Sequence, residues 1–169
     1  FVHEPALAPD DDPPHDGAHT LQVLEYDRAS EVIRNAEHRA VSVCYCRHKM
    51  LHLDRACPAP LEICLTLGAT AASLARHGHA RTVDAIECRD LLDQAYDARL
   101  VQFGENVRQE VSFICNCCAC CCEALTAARR LAALHPVETT PFLPAVDTSA
   151  CTGCGYCVAT CPVDAVSLA

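Results

Sequence analysis

Residues 151–169 read C-T-G-C-G-Y-C-V-A-T-C-P-V-D-A-V-S-L-A, and their cysteines decide how the rest of the chain is read. Cys151, Cys154, Cys157 and Cys161 are spaced C-x2-C-x2-C-x3-C, and Pro162 follows the last of them. This run holds a cubane 4Fe-4S cluster: cysteines two residues apart let one tight loop wrap an inorganic cube. Gly153 and Gly155 supply the turns, since without a Cβ they adopt positive φ and let backbone N–H groups face cluster and sulfurs. Zinc is the competing occupant. It needs four ligands, typically two C-x2-C pairs a dozen or more residues apart, and a third cysteine at this close spacing is superfluous for it.

On these residues, 151–162, the chain resembles the bacterial-type ferredoxin family. The resemblance implies a ferredoxin-like 4Fe-4S module with Cys151, Cys154, Cys157 and Cys161 as its ligands. In two-cluster members of that family the cysteine before the proline serves the other cluster. No second copy of the motif occurs in these residues, which leaves two expectations. Either a second copy lies beyond Ala169, or the cysteine-rich middle provides the partner cluster.

That middle is unusual. Residues 113–125 read F-I-C-N-C-C-A-C-C-C-E-A-L, with Cys115, Cys117, Cys118, Cys120, Cys121 and Cys122 inside eight positions. Small hydrophobes are poorly supplied as cysteine where oxidation is the penalty, so a purely structural account fails here. Adjacent side chains cannot all face one cube, so neighbours divide between two clusters, or between cluster and core. A strand is expected to give way to a helix in this nest, with Leu125, Ala128, Leu131 and Ala132 inward and N-terminal amides favouring thiolates.

Upstream, A-V-S-V-C-Y-C-R-H-K, residues 40–49, alternates as a strand. Val41, Val43 and Tyr45 fall on one face and Ser42, Cys44 and Cys46 on the other, with Arg47, His48 and Lys49 bringing positive charge beside thiolates. Cys46 is the stronger ligand candidate, since Cys44 also suits a core. In C-P-A-P-L-E-I-C, residues 57–64, Cys57 precedes a helix begun by Pro60, and Cys64 lies on that helix. Cys46, Cys57 and Cys64 then cradle a cluster. The combination of C-Y-C-R-H with F-I-C-N-C-C-A-C-C-C is similar to iron-sulfur proteins of anaerobic redox pathways, which implies electron transfer.

Fifteen cysteines in 169 residues mark either a disulfide scaffold or metal ligation. The odd count and the adjacent cysteines favour metal. Four belong to the C-terminal motif, leaving eleven, enough for two further cubanes, so two or three 4Fe-4S clusters are expected. A net charge of −9 argues against a nucleic-acid partner and suits docking on basic patches of a redox partner. No apolar run reaches the length of a membrane span, and a cytoplasmic protein is expected. Phosphate loops, G-x-S-x-G and nucleotide fingerprints are absent from these residues.

The remaining elements follow from periodicity. Residues 1–25 read as an extended arm or linker, in which His3, His15 and His19 lack ligand spacing. Asp27 caps a helix over 28–38 with Ala29, Val32, Ile33 and Ala36 inward. Another helix covers 69–78 and ends at Gly78, and a Thr82-capped helix over 83–98 buries Ile86, Cys88, Leu91, Leu92 and Ala95. Cys88, on that apolar stripe, reads as structural. Short strands at 100–103 and 110–114, joined through Gly104, Glu105 and Asn106, give helices plus a ribbon the outline of a winged helix.

The fold class is α+β: a small helical and short-strand cysteine-rich domain at 26–135, followed by a ferredoxin-like 4Fe-4S module at 136–169. The expected function is an iron-sulfur electron carrier, or the electron-transfer subunit of a larger oxidoreductase complex, with no catalytic residue assigned. Two other readings compete: a redox enzyme with a substrate-binding or thiol/disulfide-active cluster in the middle, and a zinc-binding structural module.

Overall fold

The computed structural model describes residues 21–105, 111–130, 137–138, 145–162 and 166–168. The arm's first twenty residues with His3, His15 and His19, together with Asn106, Glu110, Leu131 and Ala132, lie outside them. In chain order the elements are β1 Leu21–Val23, α1 Tyr26–Asn35, β2 Arg39–Val43, α2 Tyr45–Leu51, β3 Glu62–Leu67 and α3 Gly68–Arg76. There follow β4 Arg81–Thr82, α4 Ala85–Asp97, β5 Val101–Glu105, β6 Phe113–Cys117, α5 Glu123–Arg130, β7 Val137–Glu138 and α6 Tyr156–Thr160.

The strands form one sheet in the order β4-β2-β3-β6-β5-β1-β7. Its five central strands, β2 to β1, are antiparallel, and two-residue strands flank them. The α+β class therefore holds, whereas the two-stranded ribbon of a winged helix is replaced by this broad sheet. The sheet starts inside the stretch read as an arm, because Leu21–Val23 pairs with β5 and Leu24 is buried.

Alternation along β3 gives the sheet two different faces. Ile63, Leu65 and Leu67 point one way and are buried; Cys64 and Thr66 point the other. On the first face, α1 and α4 cover Val41, Leu65, Leu67 and Ile114 with Ala29, Ile33, Cys88 and Leu92. The amphipathic stripe predicted for α1 is correct, as is the burial of Cys88, Leu92 and Ala95 on α4. Ile86 is the exception: it is 71% exposed, and the cap of α4 is Asp84, whose side chain accepts from the Glu87 N–H at 2.8 Å, rather than Thr82. On the opposite face Phe103 and Leu125 pack with Cys117 and Cys122. Gly104 lets β5 lie close against Leu24: a Cβ there would fall 2.5 Å from the leucine Cδ1, so the leucine would have to shift.

Two local readings are corrected. The segment after Pro60 is strand β3 rather than a helix, because the two-residue alternation of Ile63, Leu65 and Leu67 against a central sheet outweighs the helix-starting preference of proline. The strand expected over 40–49 stops at Val43. Its register with β3 slips between Ser42 and Val43, the Cys44 N–H donates to the Leu61 carbonyl, and α2 begins at Tyr45. Tyr45 is therefore exposed, Cys44 is buried, and Arg47 turns inward instead of lining a strand edge.

Candidate metal centres

The strand β6 ends at Cys117, and the chain turns through Cys118–Cys121 before α5. Facing that turn is the loop between α2 and β3, which carries Cys57. The Cys57 and Cys118 sulfurs lie 3.5 Å apart, Cys121 and Cys57 3.9 Å, and Cys120 and Cys121 3.7 Å. All four sulfurs fall within 4.8 Å of one another, the one such group of potential ligands found among the described residues. Cys118 and Cys121 are buried, Cys57 is half-buried and Cys120 is exposed.

Beside this tetrad lies Arg47, only 1% exposed. Its guanidinium donates to the Pro60 carbonyl and, at 3.4 Å, to the Asn116 carbonyl, and it also contacts the sulfurs of Cys118 and Cys57. Among the described residues its Nε has no partner and no carboxylate pairs with it. A guanidinium keeps its charge in proteins, and burying it without an anion is costly. The sulfurs are the available anions. Burial opposes ionisation of Cys57, but the Ala59 N–H, the Cys118 thiol and Arg47 outweigh it and hold the Cys57 thiol below its ordinary range.

A second set of thiols runs across the other sheet face. Pairing of Leu65 with Ile114 and Thr66 with Phe113 sets Cys64 opposite Cys115, and Cys117 follows on the same side of β6. Along this row each thiol acts on the ionisation of its neighbours: Cys44 and Cys64 on one another, Cys64 and Cys117 on Cys115, and Cys117 and Cys46 on Cys122. Cys115 is held low first by the Cys117 thiol and then by Cys64, and Cys122 first by Cys117, with help from the Leu125 and Ala124 N–H groups. The amide support expected at the start of α5 thus reaches Cys122. Hydrogen bonding to Cys115 and Cys122, together with burial, pushes Cys117 up.

The middle cysteines singled out in the sequence therefore separate. Cys57, Cys118, Cys120 and Cys121 converge in the tetrad, while Cys46, Cys64, Cys115 and Cys117 join the row with Cys44 and Cys122. Cys88 sits alone in the core, its thiol pushed up to about 11 by burial. Arg47 and Asn116 are the contributors that pattern reading undervalued. Asn116 is fully buried, accepts from Gln102 Nε2 at 3.2 Å and donates to the Ile63 carbonyl at 2.6 Å, which fixes the end of β6 just before the cysteine turn. The run Arg47-His48-Lys49 was the visible signal for a cation beside thiols, but only Arg47 is buried.

The C-terminal cysteines are arranged more openly. Cys151, Cys154 and Cys157 are exposed and Cys161 half-buried. Gly153 and Gly155 have φ of 66° and 73°, so the loop turns as the sequence requires, and Gly155 leads into α6. The Tyr156 N–H and the Thr152 hydroxyl hold the Cys154 thiol below its ordinary range. Cys157 and Cys161 lie one helical turn apart, the Cys161 N–H donating to the Cys157 carbonyl at 3.1 Å. Tyr156 is pinned under Arg99, whose guanidinium carbon is 5.5 Å from the ring centre. Four cysteines on a glycine-turned loop, with amides and a hydroxyl directed at sulfur, are a donor set that fits a 4Fe-4S cluster.

Comparison with curated proteins gave no match, and comparison with solved structures gave none. Residues 144–167 match the family model of the 4Fe-4S binding domain, and this part of the chain is a ferredoxin-type segment carrying at least one 4Fe-4S cluster.

Proposed function

We propose that the protein is an electron carrier, or the electron-transfer subunit of a larger oxidoreductase, passing electrons between its ferredoxin cluster and a redox partner. The observation that carries this reading is the C-x2-C-x2-C-x3-C-P run of Cys151–Pro162 within the matched segment. A bound cluster supplies one-electron chemistry at a potential set by its surroundings. The chain's part is to hold and tune it. Cys151, Cys154, Cys157 and Cys161 furnish the sulfurs, the Tyr156 N–H and Thr152 hydroxyl offset negative charge at Cys154, and Arg99 steadies the loop through Tyr156.

Cys151, Cys154 and Cys157 are exposed, so a cluster that they held would be open to exchange with a partner. The acidic net charge of −9 favours a partner with a basic docking face. The row of Cys64, Cys115, Cys117 and Cys122, with Cys44 and Cys46, is the candidate for a second cluster to which such a relay would run. Among the described residues no helix is long and apolar enough to cross a membrane.

The test is a potentiometric titration of the anaerobically purified full chain followed by electron paramagnetic resonance. A reversible one-electron step is expected and is lost in Cys154→Ser. A protein with no reversible step between the extremes known for such clusters, about −700 to +450 mV, refutes the proposal.

A further inference from the structure

We infer that Cys57, Cys118, Cys120 and Cys121 form a closed site for a single tetrahedral metal ion, zinc in preference to iron, separate from the ferredoxin cluster. The argument is metric. Four sulfurs each about 2.3 Å from one central ion stand about 3.8 Å from one another, the edge of a tetrahedron. Three of the six sulfur pairs stand 3.5, 3.7 and 3.9 Å apart, and the other three lie within 4.8 Å. In a cubane each thiolate sits on a different iron at an outer corner, so the sulfurs are spread wider than around one ion. The ferredoxin cysteines obey that contrast: no three of Cys151, Cys154, Cys157 and Cys161 come within the 4.8 Å that encloses the tetrad.

Charge gives independent support. Four thiolates around a divalent ion carry a net charge of about −2, and the buried Arg47 guanidinium beside Cys118 and Cys57 is the counter-charge such a site calls for. With no carboxylate paired to Arg47 among the described residues, its burial is explained once the sulfurs are anionic. All four ligands come from the protein, which leaves no open coordination position and makes the ion structural. It ties the Cys57 loop to the Cys118–Cys121 turn and so fixes the end of β6 and the start of α5, where the second thiol row begins.

The inference does not depend on the ferredoxin cluster, and the experiment separates the two. The full chain is purified anaerobically, and metal content is measured with X-ray absorption at the zinc and iron edges for the unsubstituted protein, Cys120→Ser and Cys154→Ser. Cys120 is exposed, so its substitution leaves the core packing in place. The expected result is one zinc per chain with four sulfur neighbours at about 2.3 Å, kept in Cys154→Ser and lost or weakened in Cys120→Ser. One iron with four sulfurs, no nearby second iron and no matching sulfide supports the single-ion site and overturns the preference for zinc. A Cys120→Ser protein that loses iron and sulfide together, several of each, overturns the single-ion site. So does one whose metal content is unchanged when the unsubstituted protein has no single ion in sulfur coordination. Iron absent from all three proteins counts against the ferredoxin reading alone.

Discussion

The turn Cys118–Cys121 and the loop Cys151–Cys157 are both short and cysteine-dense, yet the first is drawn together against Cys57 while the second stands open at the surface. The difference arises from what each is attached to. The turn is anchored on its N-terminal side by β6 in the middle of a seven-stranded sheet, with Asn116 pinned at full burial and Arg47 packed beneath. The loop hangs on two positive-φ glycines and a five-residue helix, with Tyr156 held under Arg99. A rigid scaffold brings sulfurs to contact distance. A glycine-turned loop leaves room between them for an object larger than an ion.

That comparison can be broken most decisively at the loop. Cys154→Ser is expected to remove the iron and sulfide of the C-terminal segment and the share of the brown colour that they give, while the tetrad keeps its metal. Iron and sulfide analysis checks this, and loss of every metal at once would mean that the two regions are not independent. At the scaffold the expected effect is smaller. Arg47→Leu leaves the tetrad without its buried cation and is expected to weaken metal retention about 10- to 100-fold against a competing chelator, with Arg47→Lys partly restoring it. Unchanged retention would remove Arg47 from the site.

Asn116→Leu sharpens the mechanical half of the contrast. It strips Gln102 of an acceptor and the Ile63 carbonyl of a donor in a fully buried position. A loss on the order of 1–3 kcal/mol in denaturant unfolding is expected, with no change in the spectrum of the ferredoxin segment. The smallest effect belongs to Cys88, the thiol outside the tetrad, the row and the C-terminal motif. Burial raises its pKa from 9.0 to about 11, so the neutral form is favoured in the native state. Its contribution to stability is complete below pH 9 and fades as pH rises through 11, and Cys88→Ala should flatten that alkaline limb of the stability curve. In the native protein at pH 8 Cys88 should also resist alkylation that its unfolded form accepts.

The ferredoxin segment was legible because its information is local: four cysteines, two glycines and a proline within twelve positions state the turn chemistry and the ligand count together. The same holds for the inner stripes of α1 and α4, where Ala29, Ile33, Cys88 and Leu92 repeat at helical spacing. The tetrad was not legible, since Cys57 and Cys118 are sixty-one positions apart and nothing near either names the other. Their meeting depends on the pairing of β3 with β6 and on the early end of β2 at Val43, whereas local pattern speaks for a helix after Pro60 and for a strand running on to residue 49. Pro60 spoke for a helix and the alternation of Ile63, Leu65 and Leu67 for a strand. The buried face of a central sheet decided for the strand. Cys44 and Cys46, on one face of the expected strand, are instead the N-cap residue of α2 and part of its first turn.

The most direct test of an iron-bearing protein is a count of iron and acid-labile sulfide in the anaerobically purified full chain, with Mössbauer spectra to report how the iron is bound. At least about four irons per chain, matched by sulfide and coupled as in a cubane, are expected. Iron-free protein whose thiols have paired with one another would contradict the account.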